Sequence, residues 1–215
     1  MKTNARRDGE DWILNGSKHF ISGPVMPDFA IVFAVTGMDE TERGRRKRIT
    51  AFLVDVGTDG FDISEGTRSV SYRGYLTFQL GFSDVRLGPG QILGEEGRGL
   101  ELSGKWLSMN RVWVGASCCG KAERLFNLAS EWAATRKQFG QPIGKFQATG
   151  FKLADMAVEL KAADLLVMDA VSKGDRGKMS DSDAAMVKLF CSEMLNRTAD
   201  NTVQIYGGMG LMEEM

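Results

Sequence analysis

Two short segments carry side chains in an order that suits holding an anion and a planar ring. Thr135-Arg136-Lys137-Gln138-Phe139-Gly140-Gln141-Pro142-Ile143 closes a helical pattern with cations, a Phe-Gly step and a proline. A guanidinium pairs with phosphate oxygens through two parallel hydrogen bonds, and a phenyl ring stacks on a flat heterocycle. The same residues also read as an ordinary cationic helix C-terminus, favoured by the helix dipole by about 0.3–1 kcal/mol. Gly207-Gly208-Met209-Gly210 is the second segment. It follows a helical pattern and not a strand, so it is not the Gly-x-Gly-x-x-Gly dinucleotide fingerprint. Glycines there either cap a helix in the left-handed conformation or let backbone amides come close to a ligand.

Other chemistries lack their residues. The single histidine, His19, leaves one possible base for a Ser-His-Asp triad and excludes a His-rich metal site. Cys118, Cys119 and Cys191 show no disulfide or zinc spacing, and the Cys118-Cys119 pair reads as small apolar residues on a helix. There is no P-loop, no His-Glu-x-x-His and no Gly-x-Ser-x-Gly. The basic run Arg43-Gly44-Arg45-Arg46-Lys47-Arg48 adjoins Asp39-Glu40-Thr41-Glu42 and reads as a solvated hairpin loop, not a nucleic-acid patch.

The 215 residues carry a formal charge of −1, with 43% hydrophobic and 26% charged residues. That composition suits a globular chain and offers no overall cationic field for nucleic acid. No apolar run reaches the ~20 residues of a membrane helix, so no membrane insertion is expected. Met1 to Asp8 has no apolar stretch of the signal-peptide type, which suggests a cytoplasmic protein, or a mitochondrial-matrix one in a eukaryote.

The elements that would position the two segments change character near residue 95. Residues 1–95 hold Pro24, Pro27 and Pro89, many glycines and short apolar runs. Trp12 to Leu14 leads into Asn15-Gly16, a tight-turn signal, after which Lys18 to Ile21 resumes an extended pattern. Phe29 to Val35 is continuously apolar, as in a strand buried on both faces. Ile49–Val56, Tyr75–Leu80 and Phe82–Leu87 complete a small antiparallel β-sandwich or barrel.

Residues 96–215 predict helices over about 99–136, 147–172 and 181–206. Leu102, Trp106, Leu107, Val114, Cys118, Leu125 and Leu128 mark the apolar face of the first. Phe151, Ala154, Met156, Ala157, Leu160 and Leu165 mark the second, and Ala185, Leu189, Met194 and Val203 the third. Ser180 or Asp181 caps the third, and Pro142 breaks the chain after the first. The class is α+β, with an antiparallel helical bundle that lacks its fourth helix. Either a further helix or another subunit must cover the open seam.

Four stretches, in order, resemble the acyl-CoA dehydrogenase family of flavoproteins. They are Asp11-Trp12-Ile13-Leu14-Asn15-Gly16-Ser17-Lys18-His19-Phe20-Ile21-Ser22, and Val85-Arg86-Leu87 through Ile92-Leu93-Gly94 to Gly99. The third is Arg136 to Ile143 with Phe146-Gln147 and Leu153-Ala154-Asp155-Met156. The fourth is Val203-Gln204-Ile205-Tyr206-Gly207-Gly208-Met209-Gly210. The resemblance implies a middle β-domain and a C-terminal helical domain, with FAD as cofactor. It implies that Phe20, Ile21 and Ser22 lie against the flavin, with Phe20 where tryptophan is commoner. It also implies that Arg136, Gln138, Phe139, Ile143, Gln204, Gly207 and Gly208 contact FAD, partly that of a neighbouring subunit, and that Arg111 lies near the acyl-CoA. A buried mid-helix arginine needs an anion, which an intersubunit carboxylate would equally supply.

The family reaction is α,β-dehydrogenation of an acyl-CoA thioester, with electrons passed to an electron-transfer flavoprotein. The resemblance further implies a homodimer or homotetramer assembled through the helical domain. The family's Glu base lies after the Gly-Gly-x-Gly segment, beyond Met215; Glu213 and Glu214 do not occupy its place. The alternative helix position holds Asn110, and the family's N-terminal domain has no counterpart. The chain therefore reads as a central fragment, expected to bind FAD weakly or not at all and to lack dehydrogenase activity. A flavin monooxygenase or oxidase of the same fold and a non-catalytic assembly domain stay open.

Overall fold

The computed structural model describes residues 1–23, 25–42, 44–70 and 74–213; Pro24, Arg43 and Glu214 lie outside them. The chain forms two compact units, Met1–Gly104 and Lys105–Met215.

The first unit holds β1 (Asn4–Asp8), β2 (Asp11–Gly23), β3 (Phe29–Thr41), β4 (Gly44–Asp55), β5 (Phe61–Glu65) and β6 (Leu76–Leu87). They form one six-stranded sheet in the order β4-β3-β1-β2-β6-β5. Pairing is antiparallel except between β1 and β3, which meet in parallel at Asn4 and Val35. The Trp12 ring on β2 meets Phe52 on β4 edge to face, with centroids 5.8 Å apart. In a flat sheet three strand spacings would hold β2 and β4 about 14 Å apart. The sheet therefore curls onto itself. Ala5, Trp12, Leu14, Val32, Ala34, Phe52, Val54, Phe78, Leu80, Phe82, Val85 and Leu87 then share one core, as a sandwich or barrel requires.

Four details of the β reading are corrected. β2 runs through Asn15-Gly16 without turning. Leu14 pairs with Val85 and Gly16 with Phe82, so Asn15 faces both Ser83 and Asp84 in a β-bulge. The Asn15 amide donates to Asp84 Oδ1 and accepts from the Asp84 backbone N–H, both at 2.9 Å, which satisfies the bulge. The predicted loop 39–48 is the paired end of β3 and β4, with acidic residues opposite basic ones. Arg45 meets Glu40 at 3.1 Å and Arg48 meets Asp39 at 2.6 Å, so cross-strand charge pairing holds the polar sequence extended. The two runs predicted at 75–80 and 82–87 are one strand, Leu76–Leu87, that passes straight through Gly81. β3 is buried on one face only, because Phe29 and Ile31 remain exposed.

The second unit contains most of α1 (Gly99–Thr135), a two-stranded ribbon of β7 (Lys137–Gln138) and β8 (Gln141–Pro142), α2 (Gln147–Asp175) and α3 (Asp181–Tyr206). The helix bounds agree with the periodicity within a few residues. The buried face differs. Val112, Cys118, Cys119, Ala122, Ala163, Val167, Ala170, Ala184, Val187, Cys191 and Met194 form the core, so small residues dominate it. Trp106, Leu107, Phe151, Leu165, Leu189 and Val203 are exposed. These helices are apolar on more than one face, and periodicity alone does not say which face is buried first.

Ser180 is the N-cap of α3. Its hydroxyl accepts from Asp183 N–H, and the Asp183 carboxylate accepts from Ser180 N–H in return. Lys173 Nζ sits 2.7 Å from Asp183 Oδ1. Lys173, and then Ser180, hold the Asp183 carboxyl below its ordinary 3.8. A depressed folded-state pKa adds stability above the ordinary value, and that stability fades as pH falls from the ordinary value through the lowered one. Asp183→Asn should therefore be less stable than the parent near pH 6.5, and the difference should shrink below about pH 4. Thermal melts from pH 6.5 to pH 2 check this; a difference that stays the same over that whole range would refute the linkage.

The three cysteines are buried free thiols, with Cys119 Sγ 4.0 Å from Cys191 Sγ. Burial, and then the Cys191 neighbour, push the Cys119 thiol up to about 12. The thiolate is the reactive form. Ellman's reagent at pH 8 should find no fast-reacting thiol in the native chain and all three after denaturation.

Candidate functional site

Among the described residues no helix is long and apolar enough to cross a membrane, and no cluster of ligating side chains could hold a metal ion. The site must be sought in the segments that the sequence marks.

In the first unit, β2 departs from the sheet at Phe20. Lys18 pairs with Leu80 and Ile21 with Phe78, so His19 and Phe20 both face Gln79. Phe20 has φ 58°, and its side chain is 80% exposed. A bulky residue in the left-handed region costs roughly 1–2 kcal/mol. Exposure of the ring adds no burial to offset that cost. Ile21 packs against the sheet core and Ser22 is exposed. Thus the Ile21 side chain is turned to the core, whereas the Phe20 and Ser22 side chains are exposed. Lys18 Nζ donates to Phe33 O at 2.7 Å, tying β2 to β3 just before the bulge. Burial pulls the Lys18 ammonium below its ordinary value.

In the second unit the Arg136 segment folds as a tight hairpin. Gln138 pairs with Gln141, leaving Phe139 and Gly140 as a two-residue loop with φ of 52° and 80°. Two successive positive φ values make a type I′ turn, which favours Asn-Gly. Phe139 instead holds its ring 93% exposed, touched edge-on by Phe146 at a centroid distance of 6.2 Å. Arg136 and Gln138 are exposed beside it. Ile143 donates its N–H to Arg136 O, and its side chain packs against the cluster of Ala129, Ala133, Met156 and Ile205.

The Gly207 segment combines both sequence readings. Gly207 is the C-cap of α3 with φ 64° and ψ −138°, a conformation practically restricted to glycine. Gly207 to Leu211 then form a turn of 3₁₀-helix. A Cβ on Gly210 would lie 2.7 Å from Val203 O, so this glycine permits the tight turn. Gln204, Gly207 and Gly208 are exposed.

Sequence reasoning missed what joins the two segments. The Trp132 ring on α1 stacks on Tyr206 at the end of α3, with centroids 4.8 Å apart and planes 16° from parallel. The Arg136 guanidinium lies 5.9 Å from the Trp132 ring centroid. Tyr206 donates its hydroxyl to Leu128 O at 3.3 Å. The i, i+4 spacing of Trp132 and Arg136 was available as a helical signal. The pairing of Trp132 with Tyr206 is long-range and was not.

Arg111 is half-buried on α1 and forms no ion pair among the described residues. The expected buried, paired arginine is therefore a partly exposed cation that can meet an anion from outside the chain. Asn110 beside it is exposed.

Within the second unit, the exposed, strained Phe139, the Arg136 cation near it and the glycine-built end of α3 are group types that can meet an aromatic face and a phosphate charge. The acyl-CoA dehydrogenase middle-domain model matches residues 1–85, and the C-terminal-domain model matches residues 97–215. A short-chain-specific acyl-CoA dehydrogenase of Megasphaera elsdenii is 38% identical over 209 residues, covering 97% of this chain and 54% of that protein. A subunit of a caffeyl-CoA reductase-Etf complex from Acetobacterium woodii is 36% identical over 214 residues, covering 100% of this chain and 55% of that protein. The solved butyryl-CoA dehydrogenase of Megasphaera elsdenii matches with a TM-score of 0.89 at 37% identity, over 100% of this chain and 55% of that one. The chain spans about half the length of the curated relatives it matches. With both of its units matched in order and its fold superposed from end to end, this chain belongs to the acyl-CoA dehydrogenase family of oxidoreductases.

Proposed function

We propose that the protein takes part in FAD-dependent α,β-dehydrogenation of acyl-CoA thioesters. The observation that carries the reading is Phe139, a 93% exposed ring kept at positive φ beside Arg136. Such strain persists where a ligand uses the side chain. Phe20, the Ile21 backbone and Ser22 would face the flavin ring. Arg136, Gln138, Phe139, Gln204, Gly207 and Gly208 would hold a cofactor's phosphates and flat ring, that of a second copy of the chain included. Ile143 supports the Arg136 hairpin through its backbone and its packing. FAD, when bound, supplies the acceptor for a hydride from the β-carbon.

Arg111 would meet an anionic group of the acyl-CoA substrate. Asn110 cannot accept the α-proton, because a carboxamide has no basic form near neutral pH. The proton must therefore leave to a group at another position. Electrons would pass to an electron-transfer flavoprotein, a reading supported by the relative named as a subunit of an Etf complex. Phe151, Val158 and Leu165 are exposed at seven-residue spacing on α2, together with Met168. That stripe supports a homodimer or homotetramer through the helical unit.

The test is titration of the chain with FAD, followed by anaerobic addition of butyryl-CoA. The expected outcome is weak, saturable binding and no bleaching of the oxidised-flavin band. Absence of binding at millimolar FAD would overturn the cofactor reading. Rapid bleaching would show that a base lies within these residues after all.

A further inference from the structure

The proposed site contains two segments far apart in sequence, Arg136 to Ile143 and Gln204 to Gly208. Arg136 carries a flexible side chain, and neither end of it is buried. Yet phosphate recognition by a guanidinium requires the fork to be held at a fixed angle. An aromatic stack lies beneath it. Trp132 lies one helical turn before Arg136 and presents its ring 5.9 Å from the guanidinium. The far partner of that ring is Tyr206, the last residue of α3 before Gly207. Tyr206 is itself fixed by its bond to Leu128 O.

We infer that Trp132 and Tyr206 are positioning residues that join Arg136 and the Gly207–Gly208 turn into one cradle for a dinucleotide phosphate. This rests on the reading that Arg136 binds FAD. The stack fixes the end of α1 against the end of α3, so the cation and the glycine turn keep one relative placement before any ligand arrives. Preorganisation of this kind raises affinity without adding a contact to the ligand. Neither aromatic side chain need touch FAD. Both act through Arg136 and Gly207.

The experiment is FAD titration of the full chain by flavin fluorescence. The variants are Trp132→Phe, Trp132→Leu, Tyr206→Leu, Arg136→Ala and the two double variants that add Arg136→Ala to each leucine change. Circular dichroism melts confirm that each is folded at the assay temperature. Trp132→Phe keeps a ring over which the guanidinium can lie, and its affinity should stay within about twofold of the parent. Trp132→Leu and Tyr206→Leu should each weaken binding by about fivefold to tenfold. The decisive result is non-additivity. Each double variant should lose less than the sum of its two single losses, because the aromatic residues act in part through the arginine. Additive losses would overturn the inference and leave only a packing role. If Trp132→Leu does not fold, the Tyr206 cycle asks the same question. If Arg136→Ala leaves affinity unchanged, or the parent chain binds no FAD, the underlying reading fails. If Arg136→Ala weakens binding while both aromatic variants bind normally, the positioning claim alone fails.

Discussion

Gly115→Val should destabilise the helical unit by about 3 kcal/mol, at the upper end of overpacking effects. Gly120→Ala, five residues along the same helix, should stabilise it by up to about 1 kcal/mol. The two glycines look alike in sequence and differ in surroundings. A Cβ on Gly115 would lie 2.3 Å from Val187 Cγ1, 3.5 Å from Cys191 Sγ and 3.6 Å from Val167 Cγ2. Val187 and Cys191 lie on α3 and Val167 on α2, so Gly115 sits where α1 packs against both other helices. Carbon atoms rest about 3.5–4.0 Å apart. The clash therefore cannot be absorbed by a small shift, and Val187, β-branched on a helix, has essentially one χ1 rotamer. A Cβ on Gly120 meets nothing within 4 Å, so only the helix propensity of alanine counts there. Urea unfolding followed by far-ultraviolet circular dichroism reads both. Equal midpoints for Gly115→Val and the parent would mean that the helices can separate at no cost.

That contrast shows where the sequence was legible and where it was not. Helix bounds were readable because their signals are local: Ser180 and Asp183 cap α3, Pro142 interrupts the chain, and Gly207 ends the last helix. Which residues of a helix are buried is decided by its neighbours. Gly115 and Ala122 face the core, whereas Trp106 and Leu107 on the same helix do not. The strands split along the same line. β1 is Asn-Ala-Arg-Arg-Asp with only Ala5 buried, and β5 is a short Phe-Asp-Ile-Ser-Glu segment; both owe their form to pairing with β2 and β6. Asn15-Gly16 carries a genuine turn signal. The ladder to β6 overrides it, and the asparagine amide serves Asp84 instead.

The marked segments Arg136–Ile143 and Gln204–Gly208 were visible because their residue types can hold an anion and a flat ring, although each also reads as an ordinary helix end. Their joint through Trp132 and Tyr206 was not, since stacking between residues 132 and 206 depends on how α1 and α3 pack. Arg136 had two readings from sequence alone. A cationic C-cap would serve the helix carbonyls, yet the guanidinium lies against an aromatic ring at the surface, with its polar edge open. That placement is the one on which the proposed FAD contact rests.

The second large effect concerns a residue whose local preference opposes its identity. Phe139→Asn should leave the FAD-free chain as stable as the parent or more so, while FAD affinity falls by about tenfold. The two effects have separate causes. Phe139 and Gly140 form a type I′ turn, whose first position favours asparagine because both central residues need positive φ. Removing the ring loses little burial, since it is 93% exposed and meets Phe146 only edge-on. Stability should therefore rise by up to about 1 kcal/mol from relieved backbone strain. Affinity should fall because stacking of a flat heterocycle on a phenyl ring contributes about 1–3 kcal/mol. Arg136→Ala should weaken binding further, by about tenfold to a hundredfold, as expected for a charge-assisted hydrogen bond. Its effect should diminish at high salt, whereas that of Phe139→Asn should not. Thermal melts without FAD and titrations at two salt concentrations separate the two contributions. A Phe139→Asn chain that is less stable but binds FAD normally would show that the ring serves the fold. Greater stability with weaker binding would show that the strained turn is retained for its ligand.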